Sequence, residues 1–219
     1  MTTRSVAIAV GRETLEGDLT LPAGARGVVL FAHGSGSSRG SPRNRSVAKR
    51  LSDAGLGTLL FDLLTRAEER MDAIDGHLRF DIPFLARRLG VATDFVRDSE
   101  LTRSLRCGYF GASTGAAAAL VAAAARPGEI FAVVSRGGRP DLAEGSLSRV
   151  RAPTLLIVGE EDREVLELNR IALSELSCPR ELAIVAGATH LFEEPGTLDE
   201  AARLARDWFL RHVEENGAP

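Results

Sequence analysis

The most chemically suggestive stretch of the sequence is Gly111-Ala112-Ser113-Thr114-Gly115. It follows the apolar segment Arg106 to Gly111, a predicted strand, and precedes an alanine-rich predicted helix. A G-x-S-x-G sequence between a strand and a helix is typical of a sharp turn that exposes a serine hydroxyl at the end of a sheet. We therefore interpret Ser113 as a candidate nucleophile for acyl transfer. The alternative is that the run is only a flexible turn.

A serine hydroxyl becomes an effective nucleophile only when a base removes its proton, so the pattern requires a histidine. His190 follows the predicted strand Glu181 to Val185 and precedes the final predicted helix, which is the place of the base in the chain order serine, acid, histidine. The other histidines carry different expectations. His33 is expected to hold its turn by hydrogen bonding. His77, in a charged connection, and His212, in a polar helix, are expected to be surface residues, although His77 could line a substrate entrance.

The histidine needs an acidic residue that holds its tautomer and stabilises the imidazolium. The predicted strand Thr154 to Val158 runs into Gly159-Glu160-Glu161-Asp162, where Glu160, Glu161 and Asp162 compete for this role. The residues that do not orient the histidine would be solvated charges on the loop. The sequence pattern alone leaves these three open.

Acyl transfer also needs hydrogen-bond donors for the developing oxyanion. A serine turn of this type supplies the backbone N–H of the following residue, here Thr114, and a second N–H from a loop after an early strand. His33-Gly34-Ser35-Gly36 follows the apolar run Val28 to Ala32 and is that loop. We predict that Ser35 N–H is the second donor.

These residues can meet only if the ends of several strands lie at one edge of a sheet. Apolar strands alternate with helical segments along the chain, which predicts the α/β class: a doubly wound, mostly parallel sheet with helices on both faces. Ligand sites in such sheets lie at the carboxyl ends of the strands. Two segments flanking Gly11-Arg12-Glu13 predict an antiparallel hairpin at the sheet edge. The predicted strands are Val6 to Val10, Leu15 to Leu21, Val28 to Ala32, Thr58 to Asp62, Arg106 to Gly111, Ile130 to Ser135, Thr154 to Val158 and Glu181 to Val185; the predicted helices are Pro42 to Ala54, Ile82 to Asp98, Thr114 to Ala125, Arg163 to Leu176 and Leu198 to His212.

Composition narrows the function classes. The 219 residues, 44% of them hydrophobic, predict one domain over 1-219 with a substantial core. The net charge of -3 gives no general attraction to nucleic acid or to an anionic membrane, and no segment has the length of a membrane span or the pattern of a signal peptide, so a cytoplasmic protein is expected. The two cysteines, Cys107 and Cys178, lie far apart, which favours neither a disulfide framework nor a zinc site. We expect no metal and no cofactor.

With these motifs the sequence resembles the small, lidless bacterial α/β-hydrolases grouped with the dienelactone hydrolase family, over nearly the whole chain. The resemblance implies Asp162 as the acid, because Gly-x-x-Asp after the penultimate strand matches the position of that residue in the family. Dienelactone hydrolases proper use a cysteine nucleophile, whereas this chain has Ser113. In this respect it is more similar to the carboxylesterases of the superfamily. The absence of a long insertion between the segments 130–135 and 154–158 implies no large lid and favours small esters.

Two arginine-bearing loops lie where a substrate would enter. Arginine forks suit carboxylate or phosphate groups, so we predict that Arg136 or Arg43 favours esters with an anionic group. Gly34 is a further candidate substrate contact. An equally good interpretation is that these arginines pair with nearby acids such as Asp62 and Asp81 to fasten the loops. The arginines are Arg39, Arg43 and Arg45 in the first loop and Arg136 and Arg139 in the second.

The sequence therefore predicts a serine carboxylesterase that acts on small-molecule esters through an acyl-enzyme, as a monomer or homodimer. One alternative keeps the same triad but hydrolyses lactones or transfers the acyl group to peroxide or an alcohol, as perhydrolases and acyltransferases do. Another is a non-catalytic binding module on a hydrolase scaffold, since fold alone does not fix function.

Overall fold

The computed structural model describes residues 1–215, except the side chains of residues 144 and 215. Eight strands in this part of the chain form a single sheet. The strands are β1 (Thr2–Val10), β2 (Glu13–Leu21), β3 (Gly27–Ala32), β4 (Gly57–Phe61), β5 (Arg106–Ala112), β6 (Ile130–Arg136), β7 (Thr154–Gly159) and β8 (Arg180–Val185). The helices are α1 (Pro42–Asp53), α2 (Arg66–Asp75), α3 (Ile82–Asp98), α4 (Thr114–Ala125), α5 (Arg163–Glu175) and α6 (Thr197–Glu215), and 3₁₀ segments cover Leu78–Phe80 and Pro140–Arg149.

The strand order is β1-β2-β4-β3-β5-β6-β7-β8. The β1–β2 hairpin is antiparallel and lies at one edge, β2 pairs antiparallel with β4, and the remaining pairs are parallel. The chain moves outward from β3 to β4 and then returns past β3 to β5, so β3 and β5 flank the point where the winding reverses. Ligands bind at such a point in open α/β sheets. The predicted fold class is therefore confirmed.

Helices cover both faces of the sheet because alternate strand residues point to opposite sides. In β3, Val28 and Leu30 belong to a core cluster that also contains residues of α3 and α4. Val29 and Phe31 belong to a second cluster, which contains residues of α1 and α6. The continuous apolar run of β3 thus serves two cores at once.

Helix α2, between β4 and α3, has no counterpart among the sequence predictions. Its first turn is held by a capping box, in which Thr65 Oγ1 accepts from Glu68 N–H and Glu68 accepts from Thr65 N–H. Gly76, in the left-handed conformation, ends it. Between β6 and β7 lies only the 3₁₀ segment Pro140–Arg149, so the predicted absence of a large lid there agrees with the structure.

The expectation that His212 is solvated is wrong. Its side chain is buried on α6, and its ring packs edge-on against Trp208 with the centroids 4.5 Å apart. Cys107 is buried, and burial raises the pKa of its thiol to about 12. No helix within residues 1–215 combines the length and the hydropathy needed to cross a bilayer.

Candidate active site

Ser113 lies in a strained turn between the end of β5 and the start of α4. Its backbone has φ 51° and ψ -122°, a conformation that costs a non-glycine residue on the order of 1–3 kcal/mol. Hydrogen bonds hold it there: Ser113 N–H donates to Arg136 O at 3.3 Å, and Ser113 O accepts from Ala116 N–H at 3.1 Å and Arg139 N–H at 3.2 Å. The sharp serine turn expected from the sequence is present.

The glycines on both sides of Ser113 are required by close backbone approaches. A Cβ on Gly111 would lie 2.4 Å from Ala116 Cα, and a Cβ on Gly115 would lie 2.2 Å from Ala32 O. Helix α4 can therefore start directly beside β3 and β5 only because neither position has a side chain.

His190 and Asp162 are joined by a short hydrogen bond of 2.6 Å from Nδ1 to Oδ2. His190 lies in the loop after β8, and Asp162 lies between β7 and α5. The aspartate side chain is 14% exposed and the histidine side chain 39%, so the pair is shielded on one side and open to ligand on the other. With the carboxylate accepting from Nδ1–H, the Nε2 atom of the neutral ring is left as the basic nitrogen.

The two alternative acids do not contact His190. Glu160 Oε2 accepts from Gly187 N–H at 3.0 Å, and the exposed Glu161 lies 4.0 Å from Arg163. Glu160 thus links the loop after β7 to the loop after β8 without contacting the imidazole, and Asp162 is the acid that the structure brings to the histidine.

Ser113 and His190 line the same pocket, which has a volume of about 270 Å³ and lies at the carboxyl ends of β3, β5 and β6. Gly34, Arg43 and Arg136, the candidate substrate contacts, also line it. No hydrogen bond joins Ser113 Oγ to His190 in the described part of the chain. Such bonds are often long in unliganded sites and shorten when the substrate binds.

The two predicted oxyanion donors differ in their availability. Thr114 N–H, at the first position of α4, has no hydrogen-bond partner among residues 1–215. Ser35 N–H donates to Thr114 Oγ1 at 2.9 Å. One candidate donor, Thr114 N–H, is thus free, whereas the other, Ser35 N–H, is occupied by the hydroxyl oxygen of the buried Thr114. The sequence did not indicate this link.

His33 holds the loop after β3, as expected. Leu63 N–H donates to its Nε2 at 3.1 Å, so Nδ1 carries the hydrogen and donates to Gly34 O at 3.0 Å. Burial is the main cause that lowers the pKa of His33, so the neutral ring is favoured. His77 is exposed.

Most of the arginines expected in the two loops make ion pairs, in agreement with the second interpretation of their role, although Arg43 and Arg45 lie at the start of α1. Asp62 accepts a hydrogen bond from Arg39. Asp81 pairs with no arginine among the described residues and instead caps α3 by accepting from Phe84 N–H at 2.9 Å. Arg136 is the exception, because no ion pair to it is present among the described residues. The ion pairs are Arg39 with Asp62, Glu16 and Asp18, Arg45 with Asp18, Arg139 with Asp141, and Arg43 with Glu193.

A second pocket of about 530 Å³ adjoins the first and shares Gly34, Ser35 and Arg43 with it. Residues of α2 and the following 3₁₀ turn form its outer wall, where Asp72 and Arg79 make an ion pair of 2.6 Å. This wall was not predicted from the sequence, because α2 was not predicted. The Thr65-x-x-Glu68 pattern was the available sequence signal.

No family model matches the chain. Two curated proteins from strains of Mycobacterium tuberculosis, named "Putative phosphoribosyl transferase", are 56% identical to it over 208 residues. The match covers 95% of this chain but 46% of each of those proteins, so the chain spans about half the length of the curated relatives it matches.

Solved structures give matches over nearly the full length of both chains. A crystal structure described as dienelactone hydrolase from Anabaena variabilis is 56% identical, with a TM-score of 0.95, and the match covers 96% of this chain and 98% of that one. Est1E from Butyrivibrio proteoclasticus has a TM-score of 0.80 at 14% identity, which shows a shared fold. The chain therefore belongs to the dienelactone hydrolase-like group of the α/β-hydrolase superfamily.

Proposed function

We propose that the chain is a serine hydrolase that cleaves small carboxylic esters through an acyl-enzyme on Ser113. The observation that carries the proposal is that His190, bonded to Asp162 at 2.6 Å, lines the same pocket as the strained Ser113. Backbone strain is tolerated where function requires a residue to be presented in one way. Further support comes from the relative of Anabaena variabilis, described as a hydrolase.

In the proposed reaction, His190 Nε2 takes the proton of Ser113 Oγ as that oxygen attacks the ester carbonyl carbon. The carbonyl oxygen becomes an oxyanion and accepts hydrogen bonds from Thr114 N–H and Ser35 N–H. The C–O bond to the alcohol then breaks, and His190 returns the proton to the departing alcohol. Water hydrolyses the acyl-serine with the same base, which restores the free hydroxyl.

The transferase activity named for the longer relatives is not proposed for this chain. The match covers less than half of those proteins, and the residues in the pocket described above are suited to acyl transfer. Lactone hydrolysis and acyl transfer to peroxide or an alcohol use the same residues and differ only in the ester or the acceptor.

The proposal is tested with Ser113→Ala, which we expect to lose turnover of p-nitrophenyl butyrate and labelling by a fluorophosphonate probe. Ser174→Ala, an exposed serine on α5, is the matched control and should keep both. Product analysis of the wild type with added alcohol or peroxide separates hydrolysis from acyl transfer. Full activity in Ser113→Ala, or a wild type that neither turns over esters nor reacts with the probe, would contradict the proposal.

A further inference from the structure

Arg136 is a buried arginine in the pocket of Ser113, and no acidic side chain within the described residues pairs with it. It is the last residue of β6 and is 7% exposed. Its Nη2 lies 3.4 Å from Asn44 Oδ1, at the long end of the hydrogen-bond range, while Nε and Nη1 have no partner there. A buried cation without a counter-charge is strongly unfavourable. The pocket thus contains a positive charge that no carboxylate among the described residues compensates.

The groups around Arg136 do not neutralise it. Its guanidinium lies 5.6 Å from the centre of the Phe192 ring, which is a weak cation–π contact. Burial, with a smaller effect of the charge on Arg43, lowers the pKa of Arg136 to about 10, so it stays protonated at neutral pH. Arg43 pairs with Glu193 at 3.0 Å, but that carboxylate is 63% exposed and screens it weakly.

The loop that faces Arg136 leads into the N-terminus of a helix. Residues 34–41 contain only glycine and serine apart from Arg39, and they connect β3 to α1. The first turn of α1 has no acidic residue, and Arg43 N–H has no partner among residues 1–215. Ser37 and Ser41 line the pocket together with Arg136. A strand, a glycine-rich loop and a helix N-terminus form a common site for phosphate groups. Here the loop N–H groups of Ser35, Ser37 and Ser41 already donate within the protein, so the serine hydroxyls and Arg43 N–H are the donors left to a ligand.

We propose that Arg136 and the N-terminus of α1 bind a phosphate group of the substrate beside Ser113. The subsite is adjacent to the nucleophile because Arg136 and Ser113 line the same pocket. Phosphate suits the site better than carboxylate, since the donors would be the Arg136 guanidinium on β6, the hydroxyls of Ser37 and Ser41 in the loop, and Arg43 N–H on α1. A phosphate offers three acceptor oxygens in different directions, whereas a carboxylate offers two in one plane. The proposal deepens the ester hydrolase function proposed above and rests on it.

Three p-nitrophenyl esters with the same leaving group test the proposal: those of butyric acid, succinic acid and 3-phosphonopropionic acid. They differ at the distal end of the acyl chain, which is a methyl, a carboxylate or a phosphonate. The readout is the ratio of kcat/KM for the phosphonate ester to kcat/KM for the butyrate. We expect a ratio above about 10 for the wild type, because hydrogen bonds between charged groups typically strengthen binding by at least this factor.

Arg136→Met removes the charge at similar length, and we expect it to lower the ratio about 10- to 100-fold. Arg136→Lys keeps the charge without the fork and should fall in between. Arg103→Met, an exposed arginine before β5 at the opposite end of the strands, is the matched control and should leave the ratio unchanged. Thermal unfolding of each variant checks that it is folded.

A wild-type ratio near 1, or an equal loss on all three esters in Arg136→Met, would overturn the proposal. A preference for the succinate ester that depends on Arg136 would also overturn it, in favour of a carboxylate subsite. If no ester is hydrolysed and the fluorophosphonate probe does not react, ester hydrolysis itself is wrong. Calorimetric binding of methylphosphonate then decides the subsite: binding that Arg136→Met abolishes supports it, and no binding to the wild type overturns it.

Discussion

Replacement of Gly115 by alanine should damage both the fold and the proposed active site. The new Cβ would lie 2.2 Å from Ala32 O and 2.5 Å from His33 O, whereas ordinary contacts begin at 3.4 Å. Both neighbours are backbone atoms, so neither can rotate away. Helix α4 must therefore move by about 1 Å, and overpacking of this kind costs about 1–3 kcal/mol or more. We expect the free energy of unfolding to fall by about 3 kcal/mol.

The same movement displaces Thr114 N–H and Ser113, which begin the helix that has to shift. A displacement of about 1 Å in a catalytic group can cost on the order of 100-fold in rate. Urea unfolding measures the first effect, and kcat/KM for p-nitrophenyl butyrate at a temperature where the variant is folded measures the second.

Gly145→Ala is the control, since a Cβ on Gly145 meets nothing within 4 Å. It should change stability by less than about 0.5 kcal/mol and leave the rate unchanged. Two results would refute the reasoning. If Gly115→Ala unfolds like the wild type, α4 does not approach β3 as closely as described. If it is destabilised but each folded molecule keeps its full rate, Ser113 and Thr114 do not depend on that approach.

Two further predictions concern the side chains around the nucleophile. Asp162→Asn should lower kcat for p-nitrophenyl butyrate on the order of 10³- to 10⁴-fold, because the amide disfavours the tautomer in which His190 Nδ1 carries the hydrogen. A loss below tenfold would argue against Asp162 as the orienting acid. Burial holds the pKa of His33 below its ordinary value of 6.5, so on acidification this histidine is protonated in the unfolded chain before it is protonated in the folded one. The free energy of unfolding should therefore fall as the pH drops below about 6.5. In urea unfolding between pH 7 and pH 5, His33→Gln should lose less stability over this interval than the wild type, and an identical decrease in both proteins would contradict the account.

Local sequence patterns were sufficient to predict the scaffold. A strand such as β3, which contributes side chains to the cores on both faces of the sheet, is a continuous apolar run. The boundaries of α3 and α4 agree with the structure at both ends. Helix α2 was missed because its apolar residues Met71 and Ile74 are exposed and give no core-facing pattern. His212 was misplaced for the opposite reason, since a polar residue on a largely polar helix is buried there by packing against Trp208.

The members of the candidate site could be proposed from the sequence, but their contacts could not. Strand ends mark Ser113, Asp162 and His190 because parallel strands all deliver their carboxyl ends to one edge. Which acid meets the histidine, and which arginine lacks a partner, depend on distances between segments far apart in the chain. No local pattern encodes them. The bond from Ser35 N–H to Thr114 Oγ1, across 79 positions of sequence, is of the same kind.

That bond has a consequence for how substrate and transition state would be distinguished if Ser35 acts as proposed. In the resting site the hydroxyl oxygen of Thr114 already satisfies the Ser35 N–H, so a neutral carbonyl oxygen that replaces it exchanges one ordinary hydrogen bond for another. An oxygen that carries developing negative charge forms a stronger one. The exchange is then nearly neutral for the bound ester and favourable only as the carbonyl becomes tetrahedral, and interactions of that differential kind raise kcat instead of merely tightening ground-state affinity.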